Sequence, residues 1–219
     1  MFSILMLKIS KIGIVCLFVL SIILLLLPAP ATLAGGIRLY ARHDDLVGTR
    51  PMFFALTDNG SLVGWGGKSV RLFRSNRDGF GSPYVMRQVL ANNVKDFACG
   101  AYNGMYIDDE NSLWGWGVDE GLLFTDESKS SGAAVRIMED VQSVAVGRYH
   151  AAVIKTDGSL WTWGRNGQGQ LGLGTMGEKD GHTVDEGKYY EPQRVMEEAK
   201  GIYIFEDNIT FAVDGNDDL

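Results

Sequence analysis

The feature that most constrains this chain is a repeat of about 50 residues, most easily seen at its tryptophans. Three stretches align: MFFALTDNGSLVGWG (52–66), GMYIDDENSLWGWG (104–117) and HAAVIKTDGSLWTWG (150–164). Leu62, Leu113 and Leu160 are equivalent, with spacings of 51 and 47 residues. A period of this length indicates one supersecondary unit that is repeated and stacked on its neighbours.

Each repeat consists of short apolar runs separated by turn sequences. In the third unit, SVAV and HAAVI predict two strands, TDGS a tight turn, and SLWTWG a third strand with alternating faces. SPYVMRQV (82–89) and EPQRVM (191–196) predict a fourth, outer strand opened by Pro83 or Pro192, since proline is tolerated at a strand's first residue. Four antiparallel strands per unit predict the blade of a β-propeller.

The tryptophans predict that these blades stack on one another. All five fall in the third strand of a unit: Trp65, Trp114, Trp116, Trp161 and Trp163. Burying one aromatic ring removes roughly 150–250 Å² from water, worth at most about 4–6 kcal/mol. A single four-stranded sheet cannot cover such rings on both faces, whereas sheet stacked on sheet can. Glycines beside the rings, such as Gly115 and Gly164, would let neighbouring backbones approach closely.

The upstream half of each unit repeats as well, which sets the unit boundaries. VKDFACGAYNGMYI (94–107) matches VQSVAVGRYHAAVI (141–154), and residues 199–213 are a looser copy. The predicted units are residues 43–93, 94–140, 141–198 and 199–219, of which the last stops before its tryptophan strand. We therefore expect an all-β domain over residues 35–219 with about 3.5 four-stranded blades, a partial propeller. The remaining blades would come from a longer chain or from self-assembly.

Residues 1–34 predict export. The run IGIVCLFVLSIILLLL (12–27) carries no charge and thirteen Ile, Leu, Val or Phe, and it predicts a hydrophobic helix. Lys8 and Lys11 precede it and small residues follow, the order of a secretory signal peptide, with cleavage after Ala31 or Ala34. An uncleaved membrane anchor is the alternative. Either reading places the domain outside the cytoplasm and limits membrane contact to this segment.

Charge and cysteine content narrow the function classes. The formal net charge is −7, and removal of Lys8 and Lys11 with the signal would make the exported part more acidic. An acidic domain is poorly suited to binding nucleic acid or anionic lipid, so neither is expected as a partner. Cys16 lies within the signal, which leaves Cys99 as the one cysteine of the exported part and excludes a disulfide framework there.

VQSVAVGRYHAAVIKTDGSLWTWGRNGQGQLGLG (141–174) resembles one repeat of the regulator-of-chromosome-condensation propellers. It has the glycine before the histidine-bearing strand, DGSLW, WG and GQGQLG. The second unit departs from the pattern at VDEGLLF (118–124), and the first at RLFRSNRDGFGSP (71–83). The resemblance covers residues 43–219 and implies a β-propeller that serves as an interaction platform. Members of that family include a nuclear exchange factor for a small GTPase and a secreted bacterial inhibitor of β-lactamases.

The glycine run GQGQLGLG (167–174) raises a second interpretation. Gly167, Gly169 and Gly172 spell G-x-G-x-x-G, the fingerprint of a dinucleotide-binding loop. Such a loop needs a helix after it to hold the phosphates, and GTMGEKDGHT continues with turn residues instead. In the resembling family this run is a blade loop, so we interpret it as structural and expect no cofactor.

Other candidate residues also have structural explanations. His43, His150 and His182 are far apart in sequence, and the resemblance assigns His150 to a structural position. Asp108, Asp109 and Glu110 fall in a predicted hairpin turn, and DGNDDL (214–219) is too short for a calcium loop. Cys99 aligns with Val146 and is interpreted as a core residue. The sequence therefore predicts no catalytic, cofactor-binding or metal-binding residues.

The favoured function is an exported, non-enzymatic module that binds a protein partner through its blade loops. The least repeat-like loops, residues 67–83, 118–134 and 175–191, are the candidate partner sites, with Tyr189 and Tyr190 as possible contact residues. An extracytoplasmic propeller enzyme, a hydrolase or lyase, is one alternative. A guanine-nucleotide exchange factor is another by family analogy, although small GTPases are intracellular.

Overall fold

A computed structural model describes residues 31–32, 37–42, 52–66, 88–100, 103–117, 134–174, 187–205 and 209–215. Fifteen β-strands account for the regular structure of these ranges, as expected for an all-β chain. The predicted N-terminal hydrophobic helix lies outside the described residues. Within the described part, no helix is long and apolar enough to cross a membrane.

Sheet 1 is five-stranded, with neighbouring strands antiparallel and in sequence order. Its strands are β1 (Ala31–Thr32), β2 (Arg38–Arg42), β3 (Met52–Leu56), β4 (Leu62–Gly66) and β5 (Gln88–Ala91). β2 precedes residue 43, where the first repeat is predicted to start, so the blade contains a strand that repeat comparison does not find.

Sheets 2 and 3 each have four antiparallel strands in sequence order, as a propeller blade requires. Sheet 2 contains β6 (Val94–Cys99), β7 (Asn103–Asp108), β8 (Leu113–Gly117) and β9 (Val135–Met138). Sheet 3 contains β10 (Val141–Val146), β11 (His150–Lys155), β12 (Leu160–Arg165) and β13 (Lys188–Met196). Sheet 4 is a hairpin of β14 (Ala199–Phe205) and β15 (Ile209–Asp214). All five tryptophans lie in β4, β8 and β12, the third strand of the predicted pattern.

The prediction that Pro192 opens the outer strand is wrong. β13 begins at Lys188, and Pro192 lies inside it. The register of β12 against β13 shifts between Thr162 and Gly164, which pair with Gln193 and Tyr189. The irregularity interrupts the ladder opposite Pro192, so its missing N–H group is tolerated there.

The described strands fall into two compact units. Unit 1 comprises residues 1–69 and 80–93 and contains sheet 1; unit 2 comprises residues 70–79 and 94–219 and contains sheets 2, 3 and 4.

Within unit 2 the sheets stack through apolar side chains. Between sheets 2 and 3, the buried cluster consists of Met105, Ile107, Leu113, Val141, Val144, Val146, Ala151, Val153 and Trp163. Between sheets 3 and 4, it consists of Ala145, Ala152, Ile154, Leu160, Ala199 and Ile202. Because side chains alternate along β10 and β11, sheet 3 supplies both clusters and is buried on both faces.

Hairpin turns recur at equivalent positions in successive sheets, as their sequences predict. Gly60, Asn111 and Gly158 occupy the same turn position, and all three adopt a left-handed conformation, with φ of 77°, 63° and 85°. In unit 2 each such turn also holds the next sheet. The Asn111 carbonyl accepts the Val141 N–H at 2.9 Å, and the Gly158 carbonyl accepts the Ala199 N–H at 2.8 Å. One turn conformation therefore both closes a hairpin and fixes its neighbour.

The tryptophan rings divide into two environments. Trp116 and Trp163 are 5% and 1% exposed. Trp114 and Trp161 are half-buried. They lie two residues earlier, on the same face of their strands but nearer the hairpin turn. Trp65 is also half-buried and stacks on Phe53 with the ring centres 5.9 Å apart. Only the inner position of sheets 2 and 3 therefore buries its ring as fully as the sequence argument requires.

We predict that Trp163→Ala and Trp116→Ala each lower the free energy of unfolding by about 3–5 kcal/mol, the usual loss for a buried large aromatic. Trp161→Ala is the matched control, since its half-buried ring should cost less than half as much. Denaturant titration measures all three. Losses below about 1 kcal/mol for the two inner rings would contradict the stacked arrangement.

A second prediction concerns the contact between sheets 2 and 3 at Gly100. A Cβ atom there would lie 2.2 Å from the Gly147 carbonyl oxygen, so Gly100→Ala must push the two sheets apart. We expect a loss of about 1–3 kcal/mol in unfolding free energy. Gly167→Ala is the control, because no atom lies within 4 Å of its Cβ position. Equal stability of both variants in thermal or denaturant unfolding would refute the contact.

Candidate functional site

The connections between strands sort onto two ends of the unit 2 sheets, because consecutive strands are antiparallel. The hairpin turns from β7 to β8 and from β11 to β12 lie at one end. The connections from β6 to β7, β8 to β9, β10 to β11, β12 to β13 and β14 to β15 lie at the other, here called the loop end. Both candidate loops of this unit, 118–134 and 175–191, therefore emerge at the loop end. Their described residues are 134 and 187–191, and the loop 67–83 lies outside the described residues.

The backbone at the loop end is fixed by close contacts between sheets. Gly100 and Gly147 meet there with no room for a side chain on Gly100. Each closes its connection by donating its N–H, to the carbonyls of Asn103 and His150 respectively, both at 2.9 Å. Such contacts make a rigid scaffold on which loop residues are presented.

His150 links sheets 3 and 4 at this end. Its side chain is fully buried, and Nε2 lies 2.9 Å from the hydroxyl of Thr210 on β15. An imidazole held between two sheets in this way is part of the framework. The placement agrees with the structural role that the family resemblance implies.

The glycine run 167–174 forms consecutive turns. Gly169 and Gly172 have φ of 79° and 70°, and their N–H groups donate to the carbonyls of Asn166 at 3.1 Å and Gly169 at 3.0 Å. The Leu171 N–H donates to Asn166 Oδ1 at 3.0 Å, and the Gln168 N–H to Gln170 Oε1 at 2.8 Å. A pyrophosphate loop needs N–H groups that point at its ligand. Here four of them bond within the loop, which favours the structural interpretation; the absence of a nucleotide site stays a prediction.

The glycine loop is also held by contacts with β12 and with the end of its own connection. Leu171 is buried, and its carbonyl accepts the hydroxyl of Thr162 on β12 at 2.8 Å. The N–H of Asn166 donates to the Gly187 carbonyl at 2.7 Å, which ties the start of the β12–β13 connection to its end. The described part of this connection is therefore held firmly to sheet 3.

Two arginines and a tyrosine form a cluster at the loop end, which we call the Arg–Tyr cluster: Arg148, Tyr149 and Arg165. The guanidinium carbon of Arg165 lies 4.1 Å from the centre of the Tyr149 ring, and that of Arg148 lies 5.1 Å from it. Both distances fall within the range of attractive cation–π contacts. The backbone N–H of Arg165 also donates to the Tyr149 carbonyl at 2.8 Å.

Sequence reasoning did not single out the Arg–Tyr cluster. Arg165 follows the third Trp-Gly pair, where the other two units have Gly67 and Val118, and Arg148 aligns with Ala101. A search for charges that break the repeat would have selected both arginines. Their convergence on one ring depends on the β10–β11 connection meeting the end of β12, which the sequence alone does not show.

The two tyrosines singled out in the sequence lie at the same end of sheet 3. Tyr189 is half-buried and pairs with Gly164, next to the pair of Lys188 with Arg165. Tyr190 is 37% exposed. The end of β12 and the start of β13 therefore place Arg165, Tyr189 and Tyr190 on one stretch of the loop end.

The acidic candidates lie at the opposite, turn end and are engaged in turn structure. Asp108 Oδ1 accepts the N–H groups of Glu110 at 3.0 Å and Ser112 at 2.8 Å, and its Oδ2 accepts the Trp114 indole N–H at 2.7 Å. Asp109 and Glu110 are exposed turn residues. These contacts assign Asp108 to the hairpin.

Asp157 likewise accepts hydrogen bonds within a hairpin turn, the one between β11 and β12 of sheet 3. The Ser159 hydroxyl and N–H donate to Asp157 Oδ1, at 2.5 and 2.9 Å, and the Ser159 oxygen accepts the Trp161 indole N–H at 2.8 Å. The Ser159 hydroxyl, then its N–H, lowers the pKa of Asp157 below its usual value. The resulting stabilisation is present above the ordinary carboxyl pKa and is lost as the pH falls through the lowered value.

The remaining candidates form no site within the described ranges. No three histidine, cysteine or acidic side chains in these ranges are grouped so as to hold a metal ion. Cys99 is half-buried at the end of β6, less enclosed than its alignment with buried Val146 predicts. His43, His182 and residues 216–219 lie outside the described residues.

Sheet 4 presents a second exposed surface. Tyr203, Phe205, Ile209 and Phe211 are 65%, 53%, 45% and 43% exposed. Tyr203 pairs with Phe211 and Phe205 with Ile209, so all four lie on one face of the hairpin. The equivalents of Tyr203 and Phe211 in sheet 3 are the buried residues Ala145 and Ala152, which pack against sheet 4. An exposed apolar face of this kind promotes association with another protein or with a second copy of the chain.

Comparison with known proteins agrees with this geometry. The sequence pattern described as "Regulator of chromosome condensation (RCC1) repeat" matches residues 141–170 and, in a second version, residues 157–204. The chain therefore contains RCC1-like repeats, as the sequence resemblance predicted. The matched region covers sheet 3 and most of β14, and thus includes the Arg–Tyr cluster.

Solved structures show the same fold. Human WBSCR16 superposes with a TM-score of 0.55 at 22% identity, over 69% of this chain and 39% of that one. Yeast RCC1 (Prp20), solved with Kap60 bound, superposes with a TM-score of 0.57 at 21% identity, over 75% of this chain and 40% of that one. The four-stranded sheets are thus RCC1-type propeller blades. The chain spans about two fifths of the length of these structures.

The glycine loop gives a testable prediction. Neither the wild-type chain nor Gly169→Ala should bind a dinucleotide, because the loop N–H groups are engaged within the loop. Isothermal titration with NAD and FAD measures this. Gly169→Ala should cost roughly 1 kcal/mol in stability, since alanine is strained at positive φ. Saturable binding at millimolar concentration or better, lost in the variant, would prove the structural interpretation wrong.

Proposed function

We propose that this protein is an exported, non-enzymatic module that binds a protein partner through the loop end of unit 2. The observation that carries the proposal is the grouping of Tyr149, Arg148, Arg165 and the exposed Tyr190 on one end of sheet 3. Tyrosine and arginine are the residue types most enriched at the energetic centres of protein interfaces. Here the close Gly100–Gly147 contact and the buried His150 hold that end of the sheets in place.

The comparisons support the binding class in a general way. The yeast RCC1 structure is a complex with Kap60, so a protein that contains this fold binds another protein in that case. Since this chain spans about two fifths of that structure, the identity of its own partner is not carried over.

The chemistry of the described residues favours binding over catalysis. The acids Asp108 and Asp157 are held by turn N–H groups and serine, and the His150 side chain bonds across two sheets. A general acid or base must instead reach a substrate. The proposed function therefore rests on surface recognition at the loop end.

Export is proposed from the sequence of residues 1–34, and the fold is compatible with cleavage. β1 is a two-residue edge strand that pairs Ala31 with Leu39 and Thr32 with Arg38. Cleavage after Ala34 would remove β1 and leave β2–β5, four strands as in sheets 2 and 3. N-terminal sequencing of the secreted product should therefore begin at Gly35, or at Thr32 after cleavage at Ala31. An unprocessed chain in the cytosol would contradict export.

The binding proposal is tested by capture with the tagged full-length chain, recovered from the extracytoplasmic fraction of its host. Tyr190→Ala should reduce the amount of the captured partner at least about fivefold, the loss expected for an interface hot spot. Val89→Ala is the control, since Val89 is 53% exposed but belongs to sheet 1 of unit 1 and not to the sheets of unit 2. Equal capture by both variants would place the binding surface elsewhere.

A further inference from the structure

The Arg–Tyr cluster holds its cations in a defined position. The Arg165 guanidinium stacks on Tyr149, and the Arg165 N–H bonds to the Tyr149 carbonyl. The preceding Gly164 has φ of 109°, and a Cβ atom there would lie 2.3 Å from the Tyr149 carbonyl oxygen. Since the backbone and the ring are both fixed, Arg165 has already lost part of the conformational freedom that binding would otherwise cost.

Arg165 differs from two other surface arginines among the described residues, Arg136 and Arg194. Arg136 lies 2.7 Å from a carboxylate oxygen of Glu139, and Arg194 lies 2.6 Å from one of Glu197. Arg165 contacts no carboxylate among the described residues; its side chain contacts the Tyr149 ring. An acidic chain thus provides carboxylates for Arg136 and Arg194 and, in the described part, none for Arg165.

The orientation of the guanidinium leaves donors available. Its Nε atom is buried and has no hydrogen-bond partner among the described residues, whereas the side chain as a whole is half-buried. The far edge carries both Nη atoms, which form no hydrogen bond or ion pair with a described residue. One face is used for stacking, and the edge matches the two oxygens of a carboxylate, the geometry in which arginine binds most strongly.

We propose that the Arg–Tyr cluster binds carboxylate side chains of an acidic segment in the protein partner. The inference rests on the proposed function, because it names the chemistry of a partner at the same loop end. Arg165 accepts one carboxylate along its free edge, and Arg148, on the same ring, supplies a second positive charge. A phosphate backbone is disfavoured as the ligand, because the rest of the acidic chain repels a long polyanion.

The test uses a fluorescein-labelled, C-terminally amidated peptide (Glu-Gly)₄ and its matched neutral version (Gln-Gly)₄, measured by fluorescence anisotropy against the full chain. The glutamate peptide should bind at least about tenfold more tightly, the difference expected for a charge-assisted bidentate pair. Binding should weaken as salt is raised from 50 to 300 mM.

Variants separate the cluster from general charge. Arg165→Gln should weaken binding of the glutamate peptide about tenfold, and Arg165→Lys should restore only part of it, because lysine lacks the flat, forked group. Arg194→Gln is the matched control with an equal change of charge, and it should stay within about twofold of wild type, since Arg194 already pairs with Glu197. Circular dichroism and thermal unfolding establish that each variant is folded. If Arg165→Gln fails to fold, Arg165→Lys and Arg148→Gln take its place.

Three outcomes would overturn the inference. One is equal binding of the two peptides, and another is equal loss in Arg165→Gln and Arg194→Gln. The third is tighter, Arg165-dependent binding of a single-stranded oligonucleotide than of the glutamate peptide. Failure here is distinguishable from failure of the proposed function. If partner capture depends on Tyr190 but not on Arg165 or salt, the loop end binds a partner, and the inference that this partner presents an acidic segment is wrong.

Discussion

Packing of sheet on sheet in unit 2 is the interaction on which the rest of that unit depends. Sheet 3 contributes Val144, Val146, Ala151 and Val153 to one interface, and Ala145, Ala152 and Ile154 to the other. A four-stranded sheet with two apolar faces is stable only when both are covered. The hairpin turns then add backbone bonds from Asn111 to Val141 and from Gly158 to Ala199, which hold consecutive sheets in register.

Close packing also explains why the loop end can present a fixed surface. Sheets 2 and 3 touch at Gly100 and Gly147, and sheets 3 and 4 are joined by the hydrogen bond between His150 and Thr210. Tyr149 lies between these two anchors in sequence, and the positive φ of Gly164 brings Arg165 over its ring. The residues proposed to bind a partner are therefore positioned by the core rather than by the loops alone.

The sequence predicted the repeating parts of this fold well, because they follow from local rules. Alternation in SLWTWG predicts a strand, and DNGS or TDGS predicts a tight turn. β2 was missed because RLYAR lacks the glycine that marks the other first strands. Pro192 was misplaced because the irregularity that accommodates it arises from pairing between β12 and β13.

The candidate site was less predictable for a related reason. The loop sequences indicated which end of the sheets varies, and Tyr190 was identified as a possible contact residue. The Arg–Tyr cluster requires Arg148 and Arg165, seventeen positions apart, to meet one ring, which depends on the registration of β11 with β12. The hydrogen-bond partner of His150 was not predictable for the same reason, since Thr210 is 60 residues away.

Hydrogen exchange of the native protein tests the central claim most directly. If sheet 3 is covered on both faces, the amides of Ala151–Ile154 in β11 should exchange most slowly, and only by global unfolding. The amides of β15, on a hairpin with one exposed apolar face, should exchange through local opening at a much faster rate. Exchange of β11 as fast as that of β15 would contradict the stacked arrangement of sheets 2, 3 and 4.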